Sequence, residues 1–280
     1  MTKSFQSSVE RIQKDGFINY FGEQRFGYNL SSAMVGKSML LGNFMEAVKL
    51  IFTPLEAQDS SNDVEEAKKT FFLTQDIKKT QALMPHHKVR ECLVLRALNR
   101  YSYNEEGCIR ALLSLPHSAR VFYIHSYCSY VWNQAVSKRI EKFGFDVLPG
   151  DLVLESDEPR ILSEEDIASG TKTFKDIVFP LPGTSIKYPE NETKEIYKNI
   201  LQQDGIAFED FRIRKLHISN IAGAYRKAIA SIIDLTYELK KENNDVSEFY
   251  DLHLDFILRP SCYATMFIRE LMHSESVLSK

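Results

Sequence analysis

The sequence predicts an α+β protein, because segments with helical periodicity are interspersed with shorter segments that alternate like strands. The clearest helix spans residues 118–143, where apolar positions recur at helical spacing up to Gly144, and glycine often ends helices. The clearest strand spans residues 251–258, where leucine and phenylalanine alternate with more polar residues. With 280 residues, 44% of them hydrophobic, the chain has enough apolar material for one large or two ordinary domains.

The first half of the chain is predicted to be mainly helical. Residues 16–27 are predicted to form a short strand or turn, which leads into a loop. A helix is then predicted from Ser31 or Ser32 to about residue 52, with Pro54 ending it. Further along, the patterns predict a polar loop at 57–66, helices around 66–72 and 86–101, an acidic loop at 155–170, strands at 177–181 and 211–216, and a last helix capped by Ser261 and running to 272.

The cysteine pattern and the apolar runs argue against secreted and membrane-spanning classes of protein. The four cysteines, Cys92, Cys108, Cys128 and Cys262, form no Cys-x-x-Cys pair, which favours a reducing compartment over a disulfide framework or a zinc site. No apolar run approaches the length of about 18 residues that a spanning helix needs. We therefore expect an intracellular protein of the nucleus or cytoplasm, with the mitochondrion left open.

The most informative motif is GFINYFGEQRFG at residues 16–27. Asn19, Gln24 and Arg25 carry planar hydrogen-bonding groups that can bind carboxylates, phosphates or base edges. Aromatic side chains such as Phe26 surround them and could stack on a nucleobase. A buried aromatic turn that an asparagine and an arginine hold together would show the same pattern, and chemistry alone leaves both interpretations open.

The NYFGEQRFG segment resembles the signature of the TruD family of pseudouridine synthases, N-Y-[FY]-G-x-Q-R-F-G. The segment RPSCYATMFIREL at 259–271 is similar to that family's closing motif. Between the two, short matches follow in the family's order: Trp-Asn-Gln at 132–134, Gly-Asp-Leu at 150–152, Leu-Pro-Gly at 181–183 and Gly-x-Tyr-Arg at 223–226. Residues 115–120 and the long segment before them are most similar to eukaryotic members.

One feature departs from the family. The family's catalytic aspartate lies in a G-x-K-D-[KR]-x-A-x-T motif upstream of the signature, whereas the fifteen residues before Gly16 contain no such motif. The Gly-Thr-Lys-Thr run at 170–173 has threonine in place of the aspartate, and Asp151 and Asp255 lie where the family has no catalytic residue. The expectation is a C-terminal portion of a synthase that carries no catalytic residue of its own and is inactive without the missing N-terminal half.

The resemblance implies a split arrangement of domains. Residues 1–50 and 228–280 would belong to a truncated catalytic domain built on an antiparallel sheet, and residues 51–227 to a mixed helical and strand insertion domain. Phe26 would stack on the target base and is expected to be only half buried.

The resemblance also assigns roles to neighbouring polar residues. Asn19, Gln24 and Arg25 would shape the pocket and hold the aspartate's loop. Arg269, in the closing motif, would point toward the same cleft, although pairing with Glu270 on a solvated helix is the alternative.

Basic residues are the remaining candidates for contact with RNA. Arg212, Arg214 and Lys215 lie on a predicted strand. With Tyr225, Arg226 and Lys227 they form the best local basic cluster in a chain of net charge −3. The His-His-Lys-x-Arg run at 86–90 could contact phosphate or form an ordinary solvated face.

The function that the resemblance implies is conversion of uridine to pseudouridine in RNA. The substrate would be tRNA, with mRNA as another candidate, and the chemistry needs no metal and no redox cofactor. A non-catalytic RNA-binding or interaction module remains the alternative. A membrane partner is not expected.

Overall fold

The computed structural model describes residues 2–54, 63–241 and 250–273. Helices and antiparallel strand pairs both occur, so the predicted α+β class is confirmed. The helices are α1 (Thr2–Asp15), α2 (Ser31–Leu40), α3 (Phe44–Ile51), α4 (Asp63–Thr74), α5 (Ile77–Leu83), α6 (Val89–Tyr101), α7 (Glu105–Leu113), α8 (His117–Phe143), α9 (Glu164–Ala168), α10 (Glu192–Gln203) and α11 (Ala264–His273). The strands are β1 (Phe17–Ile18), β2 (Leu152–Glu155), β3 (Glu158–Ile161), β4 (Val178–Leu181), β5 (Ala224–Lys227), β6 (Ile229–Ala230), β7 (Ile232–Lys241) and β8 (Tyr250–Leu258).

The chain divides into two compact units. The first comprises Met1–Gly22, Phe145–Val178 and Lys227–Lys280, and the second comprises Glu23–Gly144 and Phe179–Arg226. Each unit is therefore assembled from segments that are distant in sequence. These boundaries differ from the predicted ones, since residues 23–50 fall in the second unit and residues 145–178 in the first. Which segments correspond to a catalytic domain and which to an insertion domain stays a prediction.

The first unit has an apolar core between α1, α11 and the strands. The ring centre of Phe267 on α11 lies 5.9 Å from that of Phe17 on β1 and 4.8 Å from that of Phe256 on β8. Amphipathic α1 contributes Val9 and Ile12, which are almost fully buried. This packing holds the short strand β1 against α11.

A long antiparallel hairpin of β7 and β8 covers the same core. Ile232 pairs with Leu258 at one end, and the register shifts by a bulge between Ile233 and Thr236. Residues of β8 are exposed and half-buried in alternation, as the sequence pattern predicts for residues 251–258. The hairpin thus presents one face to the core and the other to solvent.

The second unit is built around the long helix α8, which crosses α2 at close range. A β-carbon on Gly36 of α2 would lie 2.0 Å from the backbone oxygen of Tyr123 on α8. Only glycine permits this approach. A polar network reinforces the crossing: Lys37 Nζ lies 2.5 Å from Asp204 Oδ1, and the Tyr127 hydroxyl donates to Asp204 Oδ2 over 2.8 Å.

Several predicted elements are confirmed. Helix α8 ends at Phe143 with Gly144 in a positive-φ conformation, and α4, α6, β4 and β8 overlap their predicted segments.

Other predictions are wrong. The helix predicted to begin at Ser31 or Ser32 and run to 52 is two helices, because Gly42 adopts a φ of 75° between them. Residues 63–66 of the predicted loop form the first turn of α4, whereas residues 57–62 lie outside the described ranges. The predicted loop at 155–170 contains β3 and α9, which begins with a capping box between Ser163 and Asp166.

Two further corrections concern the C-terminal half. The strand predicted at 211–216 is instead a loop with a single bridge from Ile213 to Ile218 and a short 3₁₀ turn. Ser261 does not directly precede the last helix, which begins at Ala264. None of the helices in the described ranges combines the length and the apolar character that crossing a membrane would require.

Candidate functional site

The first part of the signature, residues 16–22, belongs to the first unit. Gly16, at a φ of 77°, turns the chain out of α1, and β1 pairs with β6 through Phe17–Ala230 and Ile18–Ile229. Asn19 continues this pairing: its backbone N–H donates to the Ala228 oxygen over 2.8 Å, and its Nδ2 donates to the Lys227 oxygen over 3.1 Å. Asn19 is 6% exposed, so its amide braces the backbone of the segment around 227–228.

The closing segment meets the signature within the same unit. The backbone N–H of Ile18 donates to Glu270 Oε2 over 2.9 Å, and Arg11 lies 3.6 Å from Glu270 Oε1. Burial raises the pKa of Glu270, while the Ile18 N–H and Arg11 act in the opposite direction. Arg269 is exposed, and its neighbour Glu270 pairs with Arg11 instead. The closing segment therefore reaches the signature through its glutamate.

Aromatic packing joins the same two segments. Phe21 of the signature contacts Tyr263 of the closing segment edge to face, with ring centres 6.0 Å apart. Phe21 is buried and Tyr263 is half-buried. Such pairs stabilise a fold by about 0.5–1.5 kcal/mol beyond their buried area.

The second part of the signature, residues 23–27, belongs to the second unit, and Arg25 fastens it to α8. Its Nε donates to Ser129 Oγ over 3.3 Å, and its backbone oxygen accepts from Ser126 Oγ over 2.8 Å. Its guanidinium carbon lies 5.1 Å from the centre of the Phe122 ring. Gln24 beside it is exposed. Arg25 thus holds a turn from which Gln24 projects into solvent.

Phe26 is buried in the second unit. It is 5% exposed, and its ring packs edge to face on Tyr130 of α8, with ring centres 6.2 Å apart. The expectation that Phe26 is only half buried is wrong, because α8 supplies a ring directly against it. Its role at a target base stays a prediction.

Arg226 is also buried, at 8% exposure, with its guanidinium carbon 5.4 Å from the centre of the Trp132 ring. Trp132 is fully buried, and its Nε1 donates to the Phe179 oxygen over 3.1 Å. Arg226 therefore lies against the core and does not share the exposure of the other predicted basic residues.

The Leu-Pro-Gly and Gly-x-Tyr-Arg matches pack against each other in the second unit. A β-carbon on Gly183 would lie 2.3 Å from the backbone nitrogen of Gly223. The two backbone segments can therefore approach this closely only because residue 183 has no side chain. Nearby, the Tyr225 hydroxyl accepts a hydrogen bond from the Lys187 N–H over 2.6 Å.

Arg212, Arg214 and Lys215 are exposed on the loop that replaces their predicted strand. They border a cavity of about 450 Å³ whose other side is formed by the end of α2 and the turn after it. Lys215 Nζ also lies 3.1 Å from Glu105 Oε1, an ion pair between exposed groups that contributes little to stability.

Sequence reasoning missed the residues that hold the signature in place. Ser126 and Ser129 lie one turn apart on α8, yet a helical serine has no pattern that reveals a partner a hundred residues away. The sequence does offer a signal for Glu270. A carboxylate directly after Arg269 in the closing segment can accept hydrogen bonds from residues other than that arginine. Within the described ranges, no group of three or more histidine, cysteine, aspartate and glutamate side chains is arranged to hold a metal ion.

Comparison with known proteins agrees with the sequence resemblance. The sequence profile described as "TruD: tRNA pseudouridine synthase D (TruD)" matches residues 1–271. Pseudouridylate synthase PUS7L of Danio rerio is 39% identical over 288 aligned residues, which cover 97% of this chain and 44% of the relative. Pseudouridylate synthase PUS7L of Homo sapiens is 36% identical, over 97% of this chain and 41% of the relative. The chain thus spans less than half the length of these relatives.

A solved structure shows the same fold. The crystal structure of a tRNA pseudouridine synthase D (TruD) protein from Methanosarcina mazei superposes with a TM-score of 0.80 at 23% identity, covering 96% of this chain and 65% of that one. The profile match covers almost the whole chain, and the signature and closing segments that it includes are in direct contact. The chain belongs to the TruD family of pseudouridine synthases.

Proposed function

We propose that this chain is the part of a pseudouridine synthase that binds and positions RNA, and that it converts uridine to pseudouridine together with an aspartate-bearing segment of the TruD type. The observation that carries the proposal is the hydrogen bond from Ile18 to Glu270, which joins the family's signature and closing segments. Family membership supports it further, as do relatives that are named pseudouridylate synthases. We propose tRNA as the substrate, with mRNA as a second candidate.

The reaction explains why such a chain needs firmly held loops. The N-glycosidic bond of uridine breaks, the base turns, and it rejoins the ribose through carbon. The target nucleotide must first leave its stack, which costs a few kcal/mol. Polar groups on a rigid backbone can bind the displaced nucleotide without an added cost for ordering loops.

We assign proposed roles from the contacts around each side chain. Asn19 and Arg25 position the two parts of the signature, since each is tied to backbone or to α8. Gln24 and Arg269 are exposed and are proposed to contact RNA. The stacking role of Phe26 requires that its ring face becomes accessible when RNA binds, because only 5% of the residue is exposed.

The basic residues have two proposed roles. Arg212, Arg214 and Lys215 are exposed and would contact phosphates of the RNA. Arg226 would act from the core, by holding the loop next to Trp132. We further propose a location in the nucleus or cytoplasm, with the mitochondrion left open.

The experiment is release of tritium from tRNA that carries [5-³H]uridine. The 280-residue chain is assayed by itself and as a chimera with the aspartate-bearing segment of a TruD family member fused upstream. We expect release only from the chimera, and none after that segment's aspartate is changed to alanine. A chimera that is folded and binds tRNA but releases no tritium would refute the proposal and favour a non-catalytic RNA-binding module.

A further inference from the structure

A polar cavity of about 410 Å³ lies in the second unit, next to the start of α2 and the start of α6. None of the proposed roles above involves it. The side chains that carry the argument are Ser31, Ser32, Lys68, His87, Lys88 and Arg90, all of which line it. They come from α2, from α4, and from the start of α6 with the turn before it, so the fold gathers hydroxyl and cationic groups around one space.

The charge of this cavity is positive in a chain whose net charge is −3. Lys68, Lys88 and Arg90 face it against a single carboxylate of the lining, that of Glu91. Lys68 Nζ also forms a salt bridge of 3.8 Å with Glu65, which is 4% exposed, so the three cations face two carboxylates in all. The positive groups therefore outnumber the negative ones, a balance that suits an anion.

Arg90 lies at the rim of the cavity, where its side chain is exposed. Tyr123 of α8, which is 6% exposed, lines the same cavity; burial raises its pKa, and the nearby charge of Arg90 acts in the opposite direction. A guanidinium presents several N–H groups in a planar fork that suits a phosphate. Helix α6 begins at Val89 with no side-chain cap, and the positive end of its dipole favours an anion at the same place.

The cavity also adjoins the signature. A β-carbon on Gly27 would lie 2.7 Å from Ser32 Oγ and 2.8 Å from Ser31 Oγ, so both hydroxyls pack directly on the glycine that ends the motif. An anion bound by these serines would therefore lie close to Gly27. That position is where a nucleic-acid backbone would pass if the signature contacts its bases.

We infer that this cavity binds a phosphodiester group of the RNA strand, with Lys88 and Arg90 as its principal cationic contacts. The inference rests on the proposed function, because it takes RNA as the ligand. Hydroxyls, a lysine and an arginine are typical phosphate contacts in protein–nucleic acid interfaces and position the strand without reading its sequence. A free phosphate or nucleotide has the same chemistry, and the experiment separates these sources.

The experiment compares two double variants of the full chain. K88Q/R90Q removes two charges at the cavity, and R96Q/R100Q removes two charges from exposed positions further along α6. Affinity for an intact tRNA transcript is measured by fluorescence anisotropy at several salt concentrations. We expect K88Q/R90Q to flatten the slope of log affinity against log salt by about 0.7–0.9 for each phosphate that is no longer neutralised. The control variant R96Q/R100Q should leave this slope unchanged.

Two controls keep the test decisive. Melting temperatures show whether each variant folds. If the double variant does not fold, the single variant Lys88→Gln, which leaves Arg90 unchanged, takes its place. In parallel, binding of inorganic phosphate and of uridine monophosphate is measured by calorimetry at constant ionic strength.

The outcomes separate this inference from the proposed function. Equal slopes for the two double variants, with RNA still bound, would overturn the inference alone. Loss of phosphate or nucleotide binding in K88Q/R90Q with an unchanged RNA slope would identify a small-molecule site and would also overturn it. If the unchanged chain binds no RNA at any salt concentration, both the inference and the proposed function fail.

Discussion

The backbone N–H of Ile18 donates to Glu270 Oε2 over 2.9 Å, across 252 residues of sequence. This bond joins the two segments that most resemble the family's motifs. Arg11 forms an ion pair with the same carboxylate, with its Nη1 3.6 Å from Glu270 Oε1. Because Ile18 immediately precedes Asn19, the glutamate also fixes the residue whose amide braces the backbone at 227. One carboxylate therefore sets the position of the first part of the signature.

Removing this acceptor should destabilise the first unit. In Glu270→Ala the Ile18 N–H loses its partner in a half-buried position, which costs about 1–3 kcal/mol. Glu270→Gln keeps an oxygen acceptor and should cost much less. Urea unfolding of both variants measures the difference, and Arg269→Ala, at the exposed neighbouring position, should change stability by less than about 0.5 kcal/mol. Equal losses in the alanine and glutamine variants would contradict the role of the hydrogen bond.

The same carboxylate should make stability depend on pH. Burial is the largest influence on Glu270 and raises its pKa in the folded chain. A raised pKa means that its contribution is fully present below the ordinary glutamate pKa and is lost as pH rises through the folded value. As pH rises above the ordinary glutamate pKa of about 4.3, the unchanged chain should therefore lose stability relative to Glu270→Gln. Unfolding free energies that run parallel for the two proteins across this range would contradict the prediction.

Close backbone packing in the second unit gives a third prediction. Gly183→Ala would place a β-carbon 2.3 Å from the Gly223 nitrogen, so the backbone must move, at a cost of about 1–3 kcal/mol or more. Gly170→Ala is the control, since a β-carbon there would meet no atom within 4 Å and only the φ of 63° opposes the change, by about 1 kcal/mol. Thermal unfolding of both variants tests this, and a smaller loss for Gly183→Ala would show that the loops separate easily.

The cysteines should differ sharply in reactivity. Burial raises the pKa of Cys108 and of Cys128 to about 12, and Cys92 is also buried, whereas Cys262 is half-buried. Because the thiolate is the reactive form, iodoacetamide at about pH 8 should modify Cys262 well before the other three. Peptide mass spectrometry over time measures the order, and Cys262→Ser should remove the fast phase. Early modification of Cys128 would show that α8 opens in solution.

The longest elements were predictable because their signals are local. Helix α8 repeats an apolar spacing along its whole length and ends at a glycine, and β8 alternates from end to end. The break at Gly42 was not predictable, since apolar residues keep their helical spacing across it. Arg212, Arg214 and Lys215 suggested a strand by their alternation with Phe211 and Ile213, yet no neighbouring strand pairs with them in the described ranges beyond the bridge at Ile218.

The sequence could predict which residues belong to the candidate site, but not how buried each of them is. Residue types and spacing indicated Asn19, Gln24 and Arg25, but burial depends on which surface packs against each side chain. Arg226 lies over the buried Trp132, which is far away in sequence, and no local pattern reveals that contact. The cavity proposed for phosphate likewise combines segments around residues 31, 68 and 88, which only the folded chain brings together.

Phe26 gives the last prediction, because its two possible roles have different consequences. Its ring is 5% exposed and packs edge to face on Tyr130. Truncation to alanine would remove a buried aromatic side chain and should cost about 3–5 kcal/mol, too much for activity to be compared cleanly. Phe26→Leu keeps most of the apolar volume, and Tyr130→Leu removes the other ring of the same pair. We expect similar, moderate drops in melting temperature for these two variants.

Activity then separates stacking on the target base from packing in the core. In the chimera that carries the family's aspartate segment, single-turnover rates are measured with tRNA and divided by the folded fraction. If the ring of Phe26 stacks on the displaced base, worth about 1–3 kcal/mol per base, Phe26→Leu should be slowed about tenfold while Tyr130→Leu keeps its rate. Equal rates per folded molecule in the two variants would show that Phe26 acts only by holding the turn of Gln24 and Arg25 against α8.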